Sequence, residues 1–373
     1  GECMSEFKVE TWYQGLLKQF SMFTPPSTIS SLLGNEVGAK TWAKLLAFSK
    51  PMPAHDKLIH GIHSELTDFE RKFTYGFFSE VWSGQKNVLE IGSFLGSSSR
   101  AMCLGMLMNQ KRVPGVKLYT YDKFDTYYTN DEQFNFLQGQ VPESALNTFR
   151  ETGSFKECFD YYHSGQEYSH LLEADYGVLP GKPEDVGSLQ NCFKLEEGIE
   201  FDAVFVDGAK SWYGTKYFFQ TIAAHVKPGA FIIFQDYGHY PCFWLSTFVA
   251  LLKHNFRLAM NIDNTYTFEL IAPLDAEEID VNFPDHPRDL APDIYEQIYI
   301  QEMREANVRS DTYAFLSLSL QYAAALAYIG QIDEAKMKIL RLAAQPYFAD
   351  YMGMIQQALK TPTYSPDGAV QIP

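Results

Sequence analysis

Four acids sit at or near the ends of apolar runs, where a side chain can meet a ligand instead of a core. Glu90 lies in Val88–Ile91 and leads into Gly92-Ser93-Phe94-Leu95-Gly96-Ser97, an acid-x-Gly-x-x-x-Gly turn ahead of an amphipathic stretch. Glycine lets backbone approach a ligand with no Cβ in the way, and free N–H groups at the following helix start favour a polar or anionic group. The spacing is neither the Gly-x-Gly-x-x-Gly of dinucleotide sites nor a P-loop. Asp122 ends Leu118-Tyr119-Thr120-Tyr121, where a carboxylate suits a vicinal diol because it carries acceptor sites on two oxygens and no donor. Asp207 and Asp236 close the runs Phe201–Val206 and Ala230–Phe234; two acids at neighbouring strand ends can share a hard cation such as Mg²⁺. His239, three residues beyond Asp236, titrates near neutrality and is the candidate base; Lys210 is an alternative that lowers a hydroxyl's pKa by its charge. Each residue also has a plainer role open to it: Asp122 a strand-end cap, Asp207 a turn, His239 a bond to nearby backbone.

The elements that must carry these groups alternate. Strands are predicted near 88–92, 117–122, 201–206, 230–236 and 264–271, and helices near 97–109, 214–225 and 243–254. Continuous apolar strands such as 203–206 suit a parallel sheet covered on both faces, so the expected core is a doubly wound α/β sheet over 85–275. In such sheets ligands bind beyond the carboxyl ends of the strands, where the strand order reverses. The stretch 123–200 is too long for a crossover and rich in aromatics (Tyr127, Tyr128, Phe134, Phe136, Tyr161, Tyr162); it reads as an insertion holding a helix, a substrate cover and a short strand. Gly177-Val178-Leu179, before Pro180–Asp185, is the expected third strand. Trp212 and Tyr213 are candidates for an aromatic substrate wall.

Outside the core the pattern is helical. Residues 6–50 show helical spacing (Trp12, Leu16, Leu17, Phe20; Trp42, Leu45, Leu46, Phe48), and another helix starts from an N-cap at Thr67 or Asp68 and stops at Gly84. Residues 1–84 therefore read as a helical cap or lid. Residues 287–373 read as a helical extension, in which Tyr322–Ala335 resembles half a tetratricopeptide repeat turning at Gly330. With one copy visible, a hairpin packed on the core or on a second subunit is expected, and a homodimer fits.

Composition narrows the chemistry. A formal charge of −16 over 373 residues opposes binding to a phosphate backbone. The five cysteines are scattered without a Cys-x-x-Cys, which suits a reducing, cytoplasmic setting and no structural zinc. No long uncharged run has a membrane-spanning pattern. The opening Gly1-Glu2-Cys3-Met4 fits either an expression scar or the cut edge of a longer chain.

The turn at Glu90–Gly96 resembles motif I of class I S-adenosylmethionine (SAM) dependent methyltransferases. Taken with Val206-Asp207-Gly208 and Val226-Lys-Pro-Gly229 leading to Ile233-Phe-Gln-Asp-Tyr-Gly-His239, residues 65–270 resemble the macrocin O-methyltransferase group of sugar and natural-product enzymes. The resemblance implies a Rossmann-like fold that methylates a hydroxyl, commonly with Mg²⁺. It implies SAM contacts at Glu90, Gly92, Ser93, Gly96, Ser97, Asp122 and Asp207, a metal at Asp207, Gln235 and Asp236, and a catalytic role for Asp207, with His239 the candidate base on its own chemistry. Two residues depart from the pattern. Gln235 replaces one of a usual acid pair, and Ala209 stands where an acid is proposed as base. Lys182 also stands where an acid is common, so the adenine contact stays open. The acceptor would be a small or carrier-bound hydroxylated molecule. Metal-dependent chemistry of another kind, such as oxygenation, and a non-catalytic SAM-binding interaction protein are the alternatives.

Overall fold

The computed structural model describes residues 36–48, 51–125, 130–365 and 368–373. The predicted helix around Trp12–Phe20, and Tyr127 and Tyr128, lie outside the described residues. The chain divides into two compact units, one of residues 1–34, 38–178 and 200–208, the other of 35–37, 179–199 and 209–373.

In the first unit, α1 (Glu36–Phe48) buries Trp42, Leu45 and Leu46 while Phe48 stays exposed. A short α2 (Pro53–Ile59) precedes α3 (Asp68–Gly76). The start of α3 is fixed by a capping box: Thr67 Oγ1 accepts from Glu70 N at 3.1 Å, and Thr67 N donates to Glu70 Oε1 at 3.0 Å. The helix loosens into a π-turn over Phe77–Val81 before the chain enters β1 (Asn87–Ile91). That entry is anchored by Asp202, which accepts from Trp82 Nε1 at 2.7 Å and Lys86 N at 3.2 Å.

Next come α4 (Ser97–Met108), β2 (Leu118–Asp122), three helices of the insertion, α5 (Asn130–Leu137), α6 (Glu143–Thr152) and α7 (Lys156–His163), then β3 (Leu172–Tyr176) and β4 (Phe201–Val206). The insertion is held by an aromatic cluster; Phe124 meets Phe155 and Phe159 edge-on at 5.8 and 5.2 Å. The third strand lies upstream of the expected Gly177-Val178-Leu179. Leu172–Tyr176 alternates half-buried and exposed residues, as an outer strand does, and so lacks the continuous apolar run that marks a covered strand.

The second unit holds α8 (Trp212–Ile222), β5 (Val226–Phe234), α9 (Phe243–Leu251), β6 (Phe256–Ile262) and β7 (Thr265–Leu270). The sequence reading missed β6, because Arg257 and Asn261 break its apolar run. It forms an antiparallel hairpin with β7, turning at Asp263, whose φ is +46°. Within the first unit the strand order is β3-β2-β1-β4, all paired in parallel; within the second it is β5-β7-β6, with β7 antiparallel to both its neighbours. The strands are therefore mixed in direction, not wholly parallel.

Trp212 is a core residue. It stacks on Phe283 at 4.0 Å, donates to Pro284 O at 2.7 Å and is 3% exposed, so it does not serve as a substrate wall. After α10 (Ala276–Asn282), the unit continues with α11 (Pro292–Val308), α12 (Thr312–Tyr328), α13 (Ile332–Ala343) and α14 (Met352–Lys360). Gly330 makes the turn between α12 and α13 with φ +94°. A small hairpin, β8 (Thr363–Ser365) with β9 (Gly368–Val370), interrupts the expected all-helical tail. Helix α12 is buried from Leu316 to Ala327 against the rest of its own unit. No helix among the described residues is long and apolar enough to cross a membrane.

Candidate functional site

In the first unit the strand order reverses between β1 and β4, the place where doubly wound sheets hold ligands. The two strand ends are stitched together there: Asp207 N and Gly208 N both donate to Ile91 O, at 2.9 and 2.7 Å. Gly92 has φ +90°, and a Cβ on it would run into the backbone of Gly208. Gly96 has φ +88°, and a Cβ there would meet the His163 ring, with Cε1 at 2.7 Å. At both glycines the place a Cβ would take is therefore occupied by protein. They are required because strand and insertion pack tightly behind the turn.

His163 is part of a buried relay that spacing did not reveal. Its Nε2 lies 2.9 Å from Leu95 O and must donate, so Nδ1 accepts from Tyr168 OH at 2.7 Å; Tyr168 accepts from Arg100 Nε at 2.8 Å. Burial drives the His163 pKa down to about 3, so the imidazole is neutral. The relay grips the carbonyl just before Gly96 and fixes the turn from behind.

The carboxylates divide their work. Glu90 is fully buried; its oxygens accept from the hydroxyls of Ser98 and Ser99 and, at 2.7 Å, of Thr120. Desolvation raises its pKa, and those three hydroxyls oppose the shift. Its side chain ties β1 to β2 and to the first turn of α4. Asp122 accepts from Phe94 N through Oδ2 and Phe124 N through Oδ1, both at 2.7 Å. Phe94 and Phe124 each have φ +51°, a costly conformation for a side chain of that size, so one carboxylate stabilises two strained turns. Burial raises the Asp122 pKa, against the two N–H groups. Each oxygen keeps acceptor capacity after its one N–H.

Two hydroxyls in this turn are unusual. Ser93 and Ser97 are 3% and 5% exposed, and neither Oγ has a hydrogen-bond partner among the described residues. Buried hydroxyls are normally paired, and an orphan at a strand end asks for a ligand. Together with the spare acceptor sites of Asp122, they fit a ligand with polar groups at one end and a diol at the other.

The remaining candidates follow β5 in the second unit. Gln235 is buried, Asp236 is partly exposed, and His239 is exposed with its ring 5.8 Å from Tyr240. Lys210 forms an ion pair with Asp236. Ala209 is 3% exposed and its carbonyl accepts from Trp244 Nε1 at 2.9 Å, which leaves an apolar setting where the resemblance would put an acid. Helix α12 holds the loop after Asp236: Ser317 Oγ donates to Gly238 O at 2.6 Å and Gln321 Nε2 to Tyr237 O at 2.9 Å. Gln321 is 1% exposed and its Oε1 accepts from Ser246 Oγ, so every amide group is used.

Residues 89–237 match the family model described as a methyltransferase domain. These residues thus resemble a methyltransferase domain. The match spans the turn at Gly92–Gly96, Asp122, Asp207 and Asp236. No curated protein matches the chain. Among solved structures, the chain is similar to cofactor-bound Rv0187 from MTB, with 14% identity over 68% of this chain and 100% of that one, at a TM-score of 0.33. It is also similar to CalS11, a TDP-rhamnose 3'-O-methyltransferase of calicheamicin biosynthesis (15% identity, 63% and 94% covered, TM-score 0.35), and to the O-methyltransferase NovP (15%, 50% and 72%, 0.31).

The groups of the matched stretch fit SAM, and the Asp236 carboxylate fits a divalent metal poorly. Ser93, Ser97 and Asp122 offer what the methionine and ribose parts of SAM need. Asp236, by contrast, already carries the Lys210 ammonium, which would repel a dication at the same carboxylate. Among the described residues no cluster of three or more His, Cys, Asp or Glu could hold a metal.

Proposed function

We propose that this chain transfers the methyl group of SAM to a hydroxyl of a small or carrier-bound molecule. The observation that carries the reading is the pair of buried, unpartnered hydroxyls of Ser93 and Ser97 in the turn of a methyltransferase domain. Bound SAM supplies an electrophilic methyl for in-line displacement. The protein's own share is positioning and charge. Ser93 and Ser97 donate to the polar end of SAM, Asp122 accepts from the ribose hydroxyls, and Glu90 and Gly96 hold the turn. Lys210, set by Asp236, supplies positive charge that lowers the acceptor's pKa. His239, exposed on the loop after Asp236, takes the proton.

The preference for oxygen over another acceptor atom rests on the sequence resemblance to sugar and natural-product O-methyltransferases. Metal assistance at Asp207, Gln235 and Asp236 requires Lys210 to leave Asp236, so the reading without metal is preferred. The scattered cysteines support a cytoplasmic setting.

The test is formation of S-adenosylhomocysteine from SAM with a panel of sugars, phenols and hydroxylated carrier-bound acceptors, with and without EDTA. Turnover that survives EDTA is expected. Turnover abolished by EDTA and restored by Mg²⁺ would return the metal to the account, and no product with any acceptor would contradict catalysis.

A further inference from the structure

A cavity of about 390 Å³ opens in the first unit beside the loop that joins α2 to α3. Its polar lining comes from His60, His63 and Ser64 of that loop, Arg71 of α3, Gln140 beyond α5 and Tyr162 of α7. No described carboxylate lines it, although the chain as a whole carries a formal charge of −16.

Two lining groups are cations. The guanidinium of Arg71 has its Nε shut off from solvent without an acceptor among the described residues. His60 is held between two acceptors, with Nδ1 2.7 Å from Asp56 O and Nε2 2.5 Å from Asp68 Oδ1. Both ring nitrogens must therefore donate, and the Asp56 carbonyl, then Asp68, raise its pKa. Asp68 is shared with Lys72 at 2.9 Å, and the Asp56 carboxylate lies 3.6 Å from His60. His60 and Lys72 thus face Asp56 and Asp68, and Arg71 has no ion pair among the described residues. A guanidinium edge held away from water without an acceptor is unfavourable, and a planar oxyanion is the group its fork of donors accepts.

The cavity also adjoins the SAM turn. The His63 ring stacks on Phe136 at 4.2 Å, and Phe136 meets Phe94 edge-on at 6.1 Å. Phe94 is the residue whose N–H binds Asp122.

We infer that this cavity binds the oxyanion of the acceptor, a carboxylate or a phosphate, with Arg71 as its principal contact. The word acceptor rests on the methyl-transfer reading; the oxyanion rests on the cavity alone. Calorimetric titration of the full chain with phenol, benzoate and phenyl phosphate tests it, for wild type, Arg71→Gln and Arg71→Lys. At least one anion is expected to bind tenfold or more tighter than phenol, Arg71→Gln to remove that preference and Arg71→Lys to keep part of it; the tighter anion identifies the source. Anions no tighter than phenol, or a folded Arg71→Gln chain that keeps the preference, would overturn the inference. Should Arg71→Gln fail to fold, the wild-type imidazole NMR signals of His60 and His63 serve instead: they must shift on adding the tighter anion, and unmoved signals at saturation overturn it. SAM titrated in parallel separates the two claims, because a wild type that ignores SAM defeats the methyl-transfer reading and leaves the anion result standing.

Discussion

Gly96→Ala is a sharp test of how the SAM turn is built. At φ +88° an L-residue is strained by about 1–2 kcal/mol. The added methyl would also press on His163 Cε1 and Phe159 Cε2, each 2.7 Å away, and overpacking of this kind costs about 1–3 kcal/mol. The sum is a loss of roughly 2–5 kcal/mol in unfolding free energy, measured by urea titration. The two parts separate in a double-mutant cycle with His163→Ala. Removing the imidazole relieves much of the clash and leaves the φ strain, so the cost of Gly96→Ala should fall by about 1 kcal/mol or more in that background. Phe159 remains, so the relief is incomplete. Strict additivity of the two substitutions would refute the claim that His163 is what makes glycine necessary here.

Other consequences follow from the same geometry. The unfolded chain protonates His163 near pH 6.5 while the folded one resists until about 3, so its contribution to stability is complete above 6.5 and is lost as pH falls toward 3. His163→Gln should therefore flatten the fall in stability between pH 6.5 and 4 by up to about 1.4 kcal/mol per pH unit, checked by urea titrations at several pH values. Gln321→Met strands the Tyr237 carbonyl, while the Ser246 hydroxyl keeps Phe243 O and Tyr299 OH; it should cost about 1–3 kcal/mol and lower kcat while the Kd for SAM stays at the wild-type value. Lys210→Ala should lower kcat by at least about tenfold with little change in the Kd for SAM, and unchanged kcat would remove Lys210 from the chemistry.

The strand ends were legible because covered parallel strands are continuous apolar runs: β1, β2 and β4 lie within about a residue of where Val88, Leu118 and Phe201 place them. The Thr67 cap and the Gly330 turn were legible for local reasons, a capping box and a left-handed glycine. What escaped is what depends on distant partners. β3 and β6 carry polar residues that only their places in the sheet explain. Gly92 and Gly96 have the right residue type for a ligand turn, yet their necessity comes from Gly208 and His163, which no local spacing connects to them. Nor does local spacing show that the hydroxyls of Ser98, Ser99 and Thr120 close on the Glu90 oxygens. The hydroxyls of Ser93 and Ser97 became informative only once burial and the missing partners were visible.

The central claim is that Ser93 and Ser97 are unpaired because SAM completes them. Calorimetric titration of SAM into wild type, Ser93→Ala and Ser97→Ala, beside their unfolding free energies, tests it directly. Neither hydroxyl has a partner to lose among the described residues, so each substitution should leave the stability of the free protein within about 0.5 kcal/mol of wild type. A lost hydrogen bond to the charged end of a ligand is worth about 1.5–3 kcal/mol, so SAM affinity should fall roughly 10- to 150-fold in at least one variant. Wild-type affinity in both variants, or no binding of SAM to the wild-type chain, would contradict the account.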